Sequence, residues 1–179
     1  MALEQATLAG GCFWCIESAF NSVEGVVKAW SGYAGGHLDN PSYEAVCKGD
    51  TGHAEVVRVE FDTDKLSYRD VLEIFFALHN PTQLNRQGND VGTQYRSAIF
   101  YHDDSQKHQA EQIIAEIEDM EIWPDPVVTQ IEAVDNYWQA EDYHQDYFKQ
   151  NPQNQYCNMV VAPKLAKFKQ KFASKLKQN

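Results

Sequence analysis

The chain has 179 residues, a net charge of −11 at neutral pH, 43% hydrophobic and 23% charged residues, an ordinary composition for a globular protein with a sizeable core. That charge argues against a nucleic-acid binder, and no run of 18 apolar residues offers a membrane span. The N-terminus, Met1-Ala2-Leu3-Glu4-Gln5, lacks a basic segment followed by an apolar one, so no signal peptide is expected and the default location is cytoplasmic, unless a leader has been removed.

Ala6-Thr7-Leu8-Ala9 reads as a strand, and Gly10-Gly11 then allow a sharp turn. Phe13, Ile16 and Phe20 recur at helical spacing. Cys12 therefore falls where a strand ends and a helix begins, a place of free N–H groups and positive dipole. A thiolate there is stabilised and its pKa falls below the free value of about 8.5. The alternative is a small buried core cysteine.

Val26 to Trp30 reads as a second strand, after which Ser31-Gly32-Tyr33-Ala34-Gly35-Gly36 breaks the pattern. Residues 35–52 read as a long surface loop, and a loop of that length is usually functional. Glu55 to Phe61 is a strand whose alternation places Val57, Val59 and Phe61 on one face. Glu55 shares that parity and points to the edge of the core. Burial raises a carboxyl pKa, and a carboxyl kept protonated can act as a general acid. A strand-end glutamate bending out to water is the alternative.

A helix is expected over 67–80, stopped by Pro81, and then a polar loop over 80–96. Ser97 to Tyr101 is a strand. Asp103 and Asp104 cap a helix with the stripe Ala110, Ile113, Ile114, Ile117 and Met120. A strand over 127–134 and a short helix over 140–150 follow. All 26 acidic residues lie at or before Asp146, whereas Lys164, Lys167, Lys169, Lys171, Lys175 and Lys177 follow it unopposed. Residues 161–177 form an amphipathic tail helix with Val161, Leu165, Phe168, Phe172 and Leu176 on its apolar stripe. Such a tail either packs on the acidic body, the favoured reading, or touches a membrane surface or an acidic partner. The element order predicts an α+β fold, a single domain over 1–179, with a ferredoxin-like split βαβ core, two helices on one sheet face and long loops meeting at one end.

Four cysteines, Cys12, Cys15, Cys47 and Cys157, suggest redox or metal chemistry more than a disulfide scaffold. Cys12-x2-Cys15 has zinc-ligand spacing, but no second paired motif accompanies it, so no metal is expected. The same spacing at a helix start also fits a thioredoxin-like oxidoreductase, although a Phe13-Trp14 insert is bulky for one.

Gly11-Cys12-Phe13-Trp14, Asn40-Pro41-Ser42-Tyr43, Gly49-Asp50-Thr51-Gly52-His53-Ala54-Glu55 and Asp90-Val91-Gly92-Thr93-Gln94-Tyr95-Arg96-Ser97 together resemble the signature of the A-type peptide methionine sulfoxide reductases. The resemblance runs from about residue 6 to residue 163. It implies that Cys12 is the nucleophile toward the sulfoxide sulfur, Glu55 the general acid, and Tyr43 and Tyr95 the hydroxyl donors to the sulfoxide oxygen. Phe13 and Trp14 are the implied walls for the methyl group, and Asp90 the implied organiser of the site.

The family chemistry implies a Cys12 sulfenic acid, which a second thiol resolves. Cys157, in Asn151-Pro152-Gln153-Asn154-Gln155-Tyr156-Cys157, is similar to the family's resolving segment. Cys15 stands where other members carry glycine and is the alternative resolver. Cys47 is read as a packing or spare thiol. The resemblance also implies the S epimer as substrate, free or in proteins, thioredoxin as reductant, no cofactor, and a role in repair of oxidised proteins. A monomer is expected. A sensor that binds methionine sulfoxide without turnover is the competing reading. No role is assigned to the histidines: His144, in Glu141-Asp142-Tyr143-His144-Gln145-Asp146, falls in a segment that also looks family-like, but an exposed helix face explains it equally well.

Overall fold

The computed structural model describes all residues except 1, 88, 89, 135, 146, 152, 156–158, 160 and 177–179, and the side chains of 148, 149 and 175. The chain runs β1 (Leu3–Gly10), α1 (Phe13–Asn21), β2 (Val26–Ala34), α2 (Tyr43–Cys47), β3 (Ala54–Asp62), α3 (Tyr68–Leu78), β4 (Arg86–Gln87), β5 (Asp90–Val91) and β6 (Ser97–Tyr101). It continues with α4 (Asp104–Asp119), β7 (Gln130–Ala133), β8 (Tyr137–Gln139), α5 (Tyr147–Gln150) and α6 (Ala162–Lys171).

The main sheet has the order β7-β6-β1-β3-β2-β8. Its four central strands, β6-β1-β3-β2, are antiparallel neighbours, which is the split βαβ arrangement expected of an α+β fold. β7 extends one edge in parallel with β6, and β8 closes the other antiparallel to β2.

The core follows from the two periodicities. Phe13, Ile16 and Phe20 of α1 and Val71, Leu72 and Phe75 of α3 are buried in one cluster with Leu8, Val57, Val59 and Phe61 of the sheet. Fully burying each such side chain contributes about 1.5–3 kcal/mol, more than an exposed helix gains from propensity. α3 starts in a capping box, with the Ser67 side chain accepting from Asp70 N–H and the Asp70 carboxylate accepting from Ser67 N–H. Asp103 caps α4 by accepting from Gln106 N–H.

Several boundaries differ from the sequence expectation. β2 continues through Ser31-Gly32-Tyr33-Ala34 because Tyr33 is fully buried opposite Glu55 of β3. The 35–52 loop holds α2, capped by Ser42 Oγ accepting from Ala45 N–H. The 80–96 loop holds the β4–β5 hairpin and a 3-10 turn, Thr93–Tyr95. The strand expected over 127–134 is limited to Gln130–Ala133. The helix expected over 140–150 is a 3-10 turn, Asp142–His144, followed by α5. Met120, 71% exposed, leaves the α4 stripe because the helix ends one residue earlier.

The tail helix ends at Lys171, short of the expected 177, and a 3-10 turn, Ala173–Lys175, follows. Val161, Leu165 and Phe168 are buried, and α6 packs on α1 and α3. Among the described residues no helix is long and apolar enough to cross a membrane.

Candidate active site

β1 ends at Gly10, and the chain passes between two side chains that leave no room for a Cβ. One on Gly10 would lie 3.0 Å from the His79 ring, and one on Gly11 would lie 2.8 Å from Gln87. Gly11 also has φ +97°, the left-handed region that favours glycine. This turn makes Cys12 the N-cap of α1, so its half-buried sulfur sits among first-turn N–H groups that have no helical partner.

One of those groups, Phe13 N–H, donates to Glu55 Oε1 at 3.2 Å. Glu55 is 1% exposed, and its Oε2 is buried with no hydrogen-bond partner. Burial pushes its pKa well above the ordinary carboxylate range, negative charge on Cys12 and Asp90 acts in the same direction, and the Phe13 N–H opposes. A buried oxygen with no donor is costly as a carboxylate and tolerable as part of a protonated acid.

Tyr43 opens α2. Its backbone N–H donates to Glu141 Oε2 at 3.0 Å, while Tyr33 OH donates to Glu141 Oε1 at 2.8 Å. One carboxylate thus ties α2 to β2. Cys47 is exposed, so the packing part of its expected role does not hold.

Tyr95 ends the 3-10 turn, which Arg96 braces. Arg96 Nη1 donates to Thr93 O and Nη2 to Gly52 O, both at 2.9 Å, and Nε donates to Gln130. Burial and the neighbouring Glu55 push both Tyr43 and Tyr95 above the usual phenol range, so both hydroxyls stay protonated as donors.

Cys12, Trp14, Tyr43, Glu55, Asp90, Tyr95 and Asn154 line one cavity of about 310 Å³. The structure thus brings together six residues singled out in the sequence. Phe13 is buried beneath the cavity, its ring 6.2 Å from Tyr43 and 5.7 Å from Tyr33. Cys15, 8% exposed, is packed against Val161 beside Cys12 and Trp14. Cys157 lies outside the described residues. Among the described residues no group of three or more His, Cys, Asp or Glu is placed to hold a metal ion.

His144 corrects the sequence reading: it is 1% exposed, not on an open helix face. Its Nδ1 accepts from Trp14 Nε1 at 3.0 Å, which places the ring proton on Nε2. Burial lowers its pKa, although Glu141 opposes, so the ring is neutral and free to accept. Tyr147 stacks on Trp14 with centroids 3.9 Å apart and planes 9° apart. His144 and Tyr147 together hold the indole in one orientation. His144, Tyr147 and Glu141 drew no role from the sequence because the elements they belong to or cap span three or four residues, too few for periodicity to register, and Asn154 lies outside any of the elements given above. The run of aromatics and acids over 141–147 was the available signal for the first three.

Comparison with known proteins agrees in kind with this geometry. The family model for peptide methionine sulfoxide reductase matches residues 4–176. The peptide methionine sulfoxide reductase MsrA of Polynucleobacter asymbioticus is 59% identical over 96% of this chain and 90% of its own, and that of Natronomonas pharaonis is 52% identical over 96% of both. Among solved structures, reduced Mxr1 of Saccharomyces cerevisiae matches with TM-score 0.79 and 37% identity over 87% of this chain and 89% of that one. Methionine sulfoxide reductase A of Corynebacterium diphtheriae matches with TM-score 0.80 and 34% identity over 84% and 76%. A structure of Saccharomyces cerevisiae Mxr1 in complex with Trx2 also matches, with TM-score 0.55 and 24% identity over 81% of this chain and 84% of the matched one. The chain belongs to the peptide methionine sulfoxide reductase family, in its A type, and is an oxidoreductase.

Proposed function

We propose that the enzyme reduces the S epimer of methionine sulfoxide, free or in proteins, with Cys12 as nucleophile and Glu55 as general acid. The observation that carries this reading is the buried Glu55 carboxyl. One oxygen is tied to the start of α1 and the other is unpaired, in a residue that lines the same cavity as Cys12.

Cys12 attacks the sulfoxide sulfur while Glu55 gives its proton to the sulfoxide oxygen, which leaves poorly unless protonated. The Tyr43 and Tyr95 hydroxyls donate to that oxygen as charge develops on it. Trp14, backed by Phe13, takes the methyl group. Asp90 orders the polar side of the cavity. The attack forms a bond between Cys12 Sγ and the substrate sulfur. The sulfur–oxygen bond then breaks as the hydroxyl passes to Cys12 Sγ, and the sulfur–sulfur bond breaks with its electron pair returning to the substrate sulfur, which leaves as a thioether beside a Cys12 sulfenic acid. The Cys12 thiol proton replaces the one Glu55 gave up.

A second thiol then condenses with the sulfenic acid, releasing water and forming a disulfide. Cys157 is the favoured resolver, as the resemblance implies; Cys15 is 8% exposed and packed against Val161, and it is not among the residues that line the cavity. The known complex of Mxr1 with Trx2 supports thioredoxin as the dithiol that reduces the disulfide.

Turnover of the separated S and R epimers of N-acetylmethionine sulfoxide, with dithiothreitol as reductant, tests the reading. The S epimer alone is expected to react, and equal turnover of R overturns the stereochemical assignment. Cys157→Ser is expected to retain a single fast turnover, read as one methionine per enzyme, and to lose thioredoxin-driven cycling. Cycling that survives in Cys157→Ser and disappears in Cys15→Ser assigns resolution to Cys15.

A further inference from the structure

The chemistry above makes no use of the Lys-rich tail. α6 docks through Val161, Leu165 and Phe168, which turns its lysines outward. Lys164, Lys167 and Lys171, at helical spacing, line one wall of a groove of about 410 Å³. Its floor is apolar, formed by Phe76 of α3, Ile122, Trp123 and Phe172.

None of these three lysines forms an ion pair with another described residue, unlike Arg69, which pairs with Glu73 and Glu116. The chain carries a net −11, so its field as a whole repels anions. A row of cations beside an apolar floor is a local exception: among the described residues no carboxylate lines the groove itself, and Glu73 and Glu116, which share the adjoining hollow with Lys171, are paired with Arg69. Beyond Trp123 the surface turns acidic again, with Glu118, Glu121 and Asp125 around the next hollow.

The groove also borders the catalytic cavity. Gln87 lines it, packs close to Gly11, and pairs across the β4–β5 hairpin with Asp90. Asp90 lines the catalytic cavity. The two therefore lie on either side of one hairpin, whose strands are about 4.8 Å apart.

We propose that this groove docks an acidic segment of the oxidised protein whose methionine sulfoxide occupies the catalytic cavity. The inference rests on the reading of that cavity as the reductase site. Carboxylates of the segment pair with Lys164, Lys167 and Lys171, and an apolar side chain among them lies on Phe76 and Trp123. An extended chain covers about 3.3 Å per residue, so the docked stretch stands several residues from the reacting one. A substrate chain with one residue held in the cavity must cross its rim, which fits an extended segment running over the shared hairpin, and the acidic body disfavours an extended anionic membrane surface.

The test uses blocked peptides that each carry one S-methionine sulfoxide and differ only in flanking residues, glutamate-rich or glutamine-rich, placed on either side in turn. With dithiothreitol as reductant and low salt, the wild-type KM for an acidic peptide is expected to be lower by roughly three- to tenfold, the scale of a few exposed ion pairs. The advantage should shrink near 0.5 M salt, where the Debye length is only about 4 Å.

In the triple variant Lys164→Gln, Lys167→Gln, Lys171→Gln the two KM values should converge, while N-acetylmethionine sulfoxide is turned over as in wild type. Equal KM values in wild type, or an advantage that survives in the triple variant, overturn the proposal. So does a variant that raises KM for thioredoxin and leaves the peptide KM values unchanged, which assigns the groove to the reductant. Binding of wild type, and not of the variant, to phosphatidylserine vesicles would assign it to a membrane and overturn the proposal equally. Failure of wild type to turn over N-acetylmethionine sulfoxide overturns the reading of the cavity, whereas normal turnover with equal peptide KM values overturns the docking alone.

Discussion

Cys12→Ser is expected to abolish reduction of methionine sulfoxide, by on the order of 10⁴-fold or more in kcat/KM, as removal of a nucleophile does elsewhere. A serine hydroxyl is not ionised at neutral pH, and among the described residues no histidine or lysine lines the cavity to activate it. The start of α1 can stabilise a thiolate, but it cannot bring a hydroxyl into range. Folding should be little affected, because Cys12 is only partly buried and its side chain makes no capping hydrogen bond. The measurement is single-turnover methionine release together with thermal unfolding. Activity within tenfold of wild type would move the nucleophile to another thiol, with Cys15 and Cys47 the next to replace.

Glu55→Gln is expected to lower kcat by roughly 10²- to 10⁴-fold, the usual contribution of a positioned general acid, with a smaller change in KM. The glutamine oxygen can still accept from Phe13 N–H, so the loss isolates the proton. In wild type the reductase step should fall as pH rises through the elevated Glu55 pKa, and the variant should lack that limb.

Wild-type stability moves in the same direction. Glu55 is raised in the folded state, so the stability linked to its protonated form is fully present below the ordinary glutamate value and is lost as pH climbs through the folded value. Glutamine has no such dependence. Its unpaired amide adds a cost that does not change with pH. Thermal unfolding of both proteins at pH 5 and pH 8 should therefore show the balance shifting toward Glu55→Gln at the higher pH. A shift toward wild type at pH 8 would mean that the carboxylate is held ionised, and the general-acid role would fall.

The two arguments draw on different parts of the structure. The first concerns a residue at the end of a local motif, the second a residue whose surroundings come from distant segments. Phe13 N–H and Glu55 Oε1 are 42 residues apart in the chain. Their contact exists because β1 and β3 are paired and α1 lies over both.

Local chemistry made much of the frame legible. Gly10-Gly11 before the Phe13, Ile16, Phe20 spacing located the helix that begins at Cys12. The alternation of Val57, Val59 and Phe61 aimed Glu55 at the core, where it is buried. Ser67 and Asp103 marked the starts of α3 and α4 through side chains that satisfy their own backbone donors. The order of these elements was enough for the split βαβ core, because strand pairing follows from which faces are apolar.

Tertiary contact decided the rest. α2, β4, β5, β8 and α5 span two to five residues each, too short to show a period and too short to be stable alone. They are held by partners far along the chain: Tyr43 N–H by Glu141, 98 residues away, and Trp14 Nε1 by His144, 130 residues away. The tail shows the same division. Its apolar stripe, and so its docking as a helix, was written in the spacing of Val161, Leu165 and Phe168. That its lysines would line an apolar groove beside the catalytic hairpin depended on what α3 and the Ile122-Trp123 segment place opposite them. Helical and strand periods are properties of neighbouring residues, whereas burial, proton affinity and the shape of a cavity are set by whatever the fold brings across from elsewhere.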